Sequence, residues 1–100
     1  MRIAHVTFTV APENQARALD ALLAEVATVR RMKGCLAFIP FIDPTVAGGL
    51  GVMHEWESAE AFAAYVGSPG FAAANATLRP LMTGVPVSRR FDVNLLDTVN

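Results

Sequence analysis

Residues 52–66 bring together one of the two histidines, the only tryptophan and the only tyrosine: His54, Trp56 and Tyr65. An imidazole titrates near pH 6.5, so it can take or give a proton at neutrality. An indole offers a flat apolar wall with one N–H donor at its edge, and a phenol can orient a substrate oxygen. His54 and Trp56 are two residues apart and share one face of a strand. The bland alternatives are equally concrete. A lone Trp can simply anchor a strand to a helix, a strand histidine can be satisfied by its neighbours, and Tyr65 can rest on a half-buried helix face. His5, in the first strand, is the second candidate base. The two histidines on adjacent strands invite a metal site, but no third ligand falls at useful spacing, so none is expected. Phe62 and Asn75 complete the candidate set. Phe62 would extend the wall, and the Asn75 amide, if buried, would need a partner such as a ligand carbonyl or hydroxyl.

These residues need a scaffold to converge. Val52 to Glu57 alternates as a strand, and Ser58 is placed to cap a helix over 59–66, which Gly67-Ser68 ends. Upstream, Ile3 to Val10 reads as a first strand with one wholly apolar face (Ala4, Val6, Phe8, Val10) and one mixed face that includes His5. From Pro12, Leu19, Leu22, Leu23, Val26 and Val29 recur at helical spacing, with Glu13, Arg17, Asp20, Glu25 and Arg31 assigned off that stripe, and Gly34 stops the helix. Cys35 to Asp43 is an apolar second strand in which Pro40 marks an edge or a bulge. Pro69 or Gly70 to Leu78 forms a third helix with Phe71, Asn75 and Leu78 on one side, and Val87 to about Leu96 a fourth strand. Arg89 and Arg90 on it are expected to pair with Glu55 or Glu57 or to face solvent. The order is βαββαβ with the second helical unit split in two, an α+β ferredoxin-like pattern with an antiparallel four-stranded sheet.

One hundred residues suit a single domain over 1–100, and no repeat or linker divides them. The chain is 53% hydrophobic and only 17% charged, more apolar surface than a monomer of this size can hide, which predicts a homodimer. A formal charge of −1 argues against a nucleic-acid surface. No apolar run approaches the ~20 residues of a membrane span. One cysteine rules out an intrachain disulfide and fits a reducing, cytoplasmic compartment; Cys35 itself reads as a small hydrophobe. There is no Gly-rich phosphate loop, nucleophile elbow or His-Glu-x-x-His, so no cofactor is expected.

A strand closing Glu55-Trp56-Glu57-Ser58, a short Ala-rich helix, Ser68-Pro69-Gly70-Phe71 and a helix ending Leu78-Arg79-Pro80-Leu81, together with Gly34-Cys35-Leu36, resemble the antibiotic biosynthesis monooxygenase (ABM) family. The resemblance covers most of the chain and lies in the order and spacing of these pieces. It implies ferredoxin-like protomers paired into a dimeric α+β barrel, and a Trp at position 56 bordering the cavity of quinone-forming members. Those members would carry an Asn where this chain has Val52. The heme-degrading branch would place Asn, Trp and His where this chain has His5, Tyr65 and Asn75, so heme degradation is not implied. Many members also carry a His at the place of Tyr65.

The function so implied is a cofactor-independent monooxygenase that oxidises an electron-rich aromatic, a phenol or anthrone, to a quinone. His54 or His5 would be the base, Trp56 and Phe62 the wall, and Tyr65 and Asn75 the polar anchors around a small aromatic or other apolar ligand. Two readings of other classes remain open on the same scaffold. One is a binder or isomerase that uses the pocket without oxygen. The other is a structural dimer whose cavity is filled by side chains. The structural feature that discriminates among them is whether an enclosed cavity touches His54, Trp56 and Tyr65 together.

Overall fold

The computed structural model describes residues 1–100. Four strands, β1 (Arg2–Thr9), β2 (Cys35–Ile42), β3 (Gly49–Trp56) and β4 (Val87–Asp92), form one antiparallel sheet in the order β2-β3-β1-β4. Four helices, α1 (Gln15–Leu23), α2 (Val26–Arg30), α3 (Ala59–Val66) and α4 (Pro69–Leu78), supply the helical packing of the α+β ferredoxin-like arrangement expected from the sequence. No helix is long and apolar enough to cross a membrane.

Strand parity decides which side chains meet the helices. In β3, Leu50, Val52, His54 and Trp56 are all buried, while Met53 between them is 40% exposed. The register sets Ala4 of β1 and Phe38 of β2 beside His54, so one face of three strands is continuous. Ala18, Leu22, Val29, Phe62, Tyr65 and Leu78 come down on that face from the helices and join a single core cluster. The outer face keeps apolar groups uncovered: Ile39, Met53, Val87 and Phe91, from β2, β3 and β4, are exposed. Pro40 lies in an edge strand, where a missing N–H costs no ladder bond on the open side.

The punctuation is local chemistry. Ser58 Oγ accepts the Ala61 N–H at 3.1 Å and starts α3. Ser68 Oγ does the same for Phe71 at 3.2 Å, and its hydroxyl donates to the Tyr65 carbonyl at 2.6 Å, which ties the end of α3 to the start of α4. Gly34 turns at φ +84°, and a Cβ there would come within 2.6 Å of Ala61 Cβ, so the entry to β2 passes hard against α3.

Two expectations change. The first helix is not continuous from Pro12: a 3-10 turn (Pro12–Asn14) precedes α1, and the chain breaks again at Ala24-Glu25. At that break the Glu25 N–H takes the Leu22 carbonyl at 3.1 Å, an i→i−3 bond that tightens the turn. Leu23, expected on the buried stripe, is 49% exposed. The fourth strand ends at Asp92, not near Leu96, because its partner runs out. Asp92 pairs with Arg2, and the last ladder bond joins the Val93 N–H to the Met1 carbonyl at 2.9 Å.

Candidate functional site

A cavity of about 220 Å³ lies between the inner sheet face and the helices. The sheet supplies Val6, Phe8, Phe38, Val52 and His54, and the helices supply Leu22, Phe62, Tyr65, Phe71, Asn75 and Leu78. Arg79, Ser88 and Arg90 also line it and are exposed, so the cavity opens on their side. Phe71, Asn75 and Leu78 do share one side of α4, as their spacing predicted.

His54 is the polar centre of this apolar space and is 3% exposed. The Trp56 indole Nε1–H donates to His54 Nδ1 at 2.8 Å. An indole nitrogen only donates, so Nδ1 holds a lone pair and the neutral ring carries its proton on Nε2. No side-chain nitrogen in the protein is both sealed from solvent and unpartnered. Nε2 has no protein partner, so its N–H opens to the cavity. Burial first, then the Arg90 and His5 charges, push the His54 pKa down to about 4. At neutral pH the ring is therefore a fixed hydrogen-bond donor. The sequence alone makes His54, or His5, a candidate base.

Trp56 is not the wall. It is fully buried, stacks on Tyr65 with ring centroids 5.1 Å apart and planes 21° apart, and does not line the cavity. Its place is behind His54, as the bond that orients the imidazole. Phe62, tilted against His54 at 5.7 Å, and Phe38, edge-on to it at 5.7 Å, form the wall instead. Tyr65 meets His54 edge-on at 5.6 Å. Burial, then the Glu25 and Cys35 charges, drive its phenol well above the usual range, so it stays protonated.

His5 does not join the group. The register pairs it with Met53 and Arg89, on the outer sheet face, where its ring lies edge-on to Phe91 at 5.6 Å. Its parity is opposite to that of Ala4, the residue beside His54. Arg89 and Arg90 do not pair with Glu55 or Glu57, and both are exposed, the other alternative expected for them. Arg89 sits over the Phe91 ring at 5.3 Å, and Arg90 sits over Phe62 at 5.0 Å while its Nε–H donates to Ser88 Oγ at 3.2 Å. Arg90 thus brings a guanidinium to the inner face.

Glu25 is the lining residue that the sequence reading set aside. It falls three residues after Leu22 and four before Val29, both buried, so it lies on the apolar stripe and not off it. That spacing was the available signal. Burial alone raises its pKa to about 7. No group of three or more His, Cys, Asp and Glu comes together in a way that could hold a metal ion. The arrangement offers a donor at His54, a titratable carboxyl at Glu25, neutral polar anchors at Tyr65 and Asn75, and guanidinium charge at the rim.

Residues 1–77 match the profile of the family described as antibiotic biosynthesis monooxygenase. Among solved structures, a candidate antibiotic biosynthesis monooxygenase from Deinococcus radiodurans superposes with a TM-score of 0.89 at 21% identity, over 100% of this chain and 99% of that one. One from Caulobacter crescentus, at 27% identity, gives 0.88 over 94% and 90% of the two chains. A Mycobacterium tuberculosis protein gives 0.81 at 20% identity over the full length of both. No curated protein matches the sequence.

Proposed function

Because the chain belongs to the antibiotic biosynthesis monooxygenase family, we propose that it is a cofactor-independent monooxygenase that oxidises an electron-rich aromatic to a quinone with molecular oxygen. The observation that carries this reading is the aromatic-walled cavity into which one oriented N–H, that of His54, opens. In such chemistry the substrate anion itself reduces oxygen. One oxygen atom enters the ring as the new carbonyl and the other leaves as water. The protein has to exclude water, hold the ring and stabilise the anion. Phe62, Phe38, Phe71 and Val52 do the first two. The His54 Nε2–H and the Arg90 guanidinium favour a phenolate over the neutral phenol, and Tyr65 and Asn75 orient the remaining oxygens.

The volume narrows the substrate. Ligand pockets commonly begin at roughly 300 Å³, and this cavity, at about 220 Å³, suits a one- or two-ring phenol better than a tricyclic anthrone. Val52, where quinone-forming relatives would carry an Asn, leaves the sheet side of the cavity apolar, so orientation falls to His54 and the helices. His5, on the far face, has no part in this reading of the site. The same proposal includes a homodimer through the outer sheet face, supported by the uncovered Ile39, Met53, Val87 and Phe91. Oxygen uptake over a panel of one- and two-ring phenols with a free para position, followed with quinone absorbance and with oxygen-18 entering the new carbonyl, tests the reaction. Uptake confined to larger rings would overturn the size argument.

A further inference from the structure

Glu25 stands at the corner between α1 and α2, and two spaces meet at its side chain. One is the aromatic cavity. The other is a more open groove between α1–α2 and α4, lined by Ala24, Thr28, Met32 and Thr77 among others. Glu25, Tyr65, Phe71 and Ala74 are the residues common to both, so they form the partition between them. Within that partition Glu25 is the only carboxyl, and no other Asp or Glu lines either space. It takes no part in the one salt bridge of the protein, Arg2–Asp92, and burial is what raises its pKa.

We propose that Glu25 is the proton-transfer residue of the cavity, taking the hydroxyl proton of a bound phenol and handing it to water in the adjoining groove. The proposal rests on the monooxygenase reading and supplies the base that His54 does not. In the transfer the phenol O–H bond breaks, its electron pair stays on the phenolate oxygen, and an O–H bond forms on the Glu25 carboxylate. The carboxylic acid then releases that proton to groove water and returns to its starting state, while the phenolate goes on to reduce oxygen. The other titratable groups cannot take the role. His54 Nδ1 is occupied by the Trp56 N–H and Nε2 already holds a proton. Tyr65 is held neutral.

The charged and titratable groups that face the same cavity are His54 on β3, Tyr65 on α3, Arg79 at the end of α4 and Arg90 on β4, and α4 itself contributes only Asn75, Phe71, Ala74 and Leu78. The two neutral rings leave the burial of Glu25 uncompensated, and both guanidiniums are exposed at the rim. A carboxyl that titrates at about 7 is half ionised at neutrality, which suits it to accept a proton from a phenol and to give it up again.

The test has two arms. Carbon-13 NMR of the Glu25 carboxyl in the unliganded protein should give a midpoint near 7, and a midpoint in the ordinary carboxylate range would overturn the proposal whatever the substrate. Oxygen uptake with a one-ring phenol that has a free para position should fall about tenfold per pH unit below that midpoint. Glu25→Gln should lower kcat by roughly 10²-fold or more with little change in KM and abolish that acid limb. Glu25→Asp should recover part of the rate. Wild-type kcat and an unchanged limb in Glu25→Gln would overturn the role of Glu25 and leave the monooxygenase reading intact. No uptake by the unmodified protein would overturn the monooxygenase reading, and this role with it.

Discussion

Trp56→Phe tests the link between the core and the site. The substitution keeps an aromatic ring but removes the Nε1–H that donates to His54 Nδ1 at 2.8 Å. With His54 3% exposed, water cannot replace the donor, so the lone pair is stranded. Leaving a buried acceptor unsatisfied costs about 1–3 kcal/mol, before the smaller ring's packing loss is added. At about 5 °C per kcal/mol for a chain this long, the midpoint should drop by roughly 5–15 °C. The more telling readout is the imidazole itself. Nitrogen-15 NMR of the native protein should report Nδ1 as the acceptor and Nε2 as the protonated nitrogen, and Trp56→Phe should release that preference toward a mixture. A cycle with His54→Phe separates the bond from the packing, since the second change should cost less once the indole is gone. An Nδ1-protonated ring in the native protein, or additive effects in the cycle, would refute the reasoning.

Four further outcomes follow. His54→Phe should lower kcat by about 10²-fold, the scale for losing one preorganised donor, without moving the acid limb that belongs to Glu25. Protonation couples His54 and Glu25 to stability with opposite signs. The folded pKa of His54 lies near 4, below its unfolded 6.5, so its contribution is complete above 6.5 and is lost as pH falls toward 4, up to about 3 kcal/mol. The folded pKa of Glu25 lies near 7, above its unfolded 4.5, so its contribution is complete below 4.5 and is lost as pH rises through 7. Urea midpoints between pH 4.5 and 6.5 should therefore change little in the native protein and rise with pH in Glu25→Gln; a flat profile in that variant would contradict the His54 assignment. Gly48→Ala should destabilise by about 2 kcal/mol or more, because φ is +69° and a Cβ would lie 1.9 Å from the Val10 carbonyl oxygen, whereas Gly70→Ala, which meets nothing within 4 Å, should be neutral or stabilising in a thermal melt. Sedimentation at low micromolar concentration should give twice the chain mass, and Met53→Glu, on the uncovered sheet face, should shift it toward the monomer.

Much of this architecture was legible because it is written in local chemistry. Ser58, Gly67 and Pro69 mark the cap, stop and restart of α3 and α4 by their residue types alone, and Pro40 announces an edge by what it lacks. What escaped depends on how strands and helices meet. Period-two alternation shows that His54 and Trp56 share a face, but only the register shows that Ala4, not His5, lies beside them. The same alternation could not show that of two neighbours on one face, His54 would meet the cavity and Trp56 would lie behind it. The break at Glu25 is hidden because Leu22 and Val29 remain on one stripe whether or not the helix is continuous. Arg90 is exposed as expected, but its inner-face parity depends on its partner across β1, Ala4, which comes from another part of the chain.

The central claim is that the cavity turns over a small phenol with oxygen. The direct measurement is oxygen-electrode uptake on purified protein with a one-ring phenol that has a free para position, run beside quinone absorbance and oxygen-18 incorporation at neutral pH and again below pH 6. The account predicts one oxygen molecule consumed per quinone formed, with the rate falling at the lower pH. Binding of the same compounds, seen as a thermal shift, with no uptake at either pH would contradict it and leave a ligand-binding domain that does no oxygen chemistry.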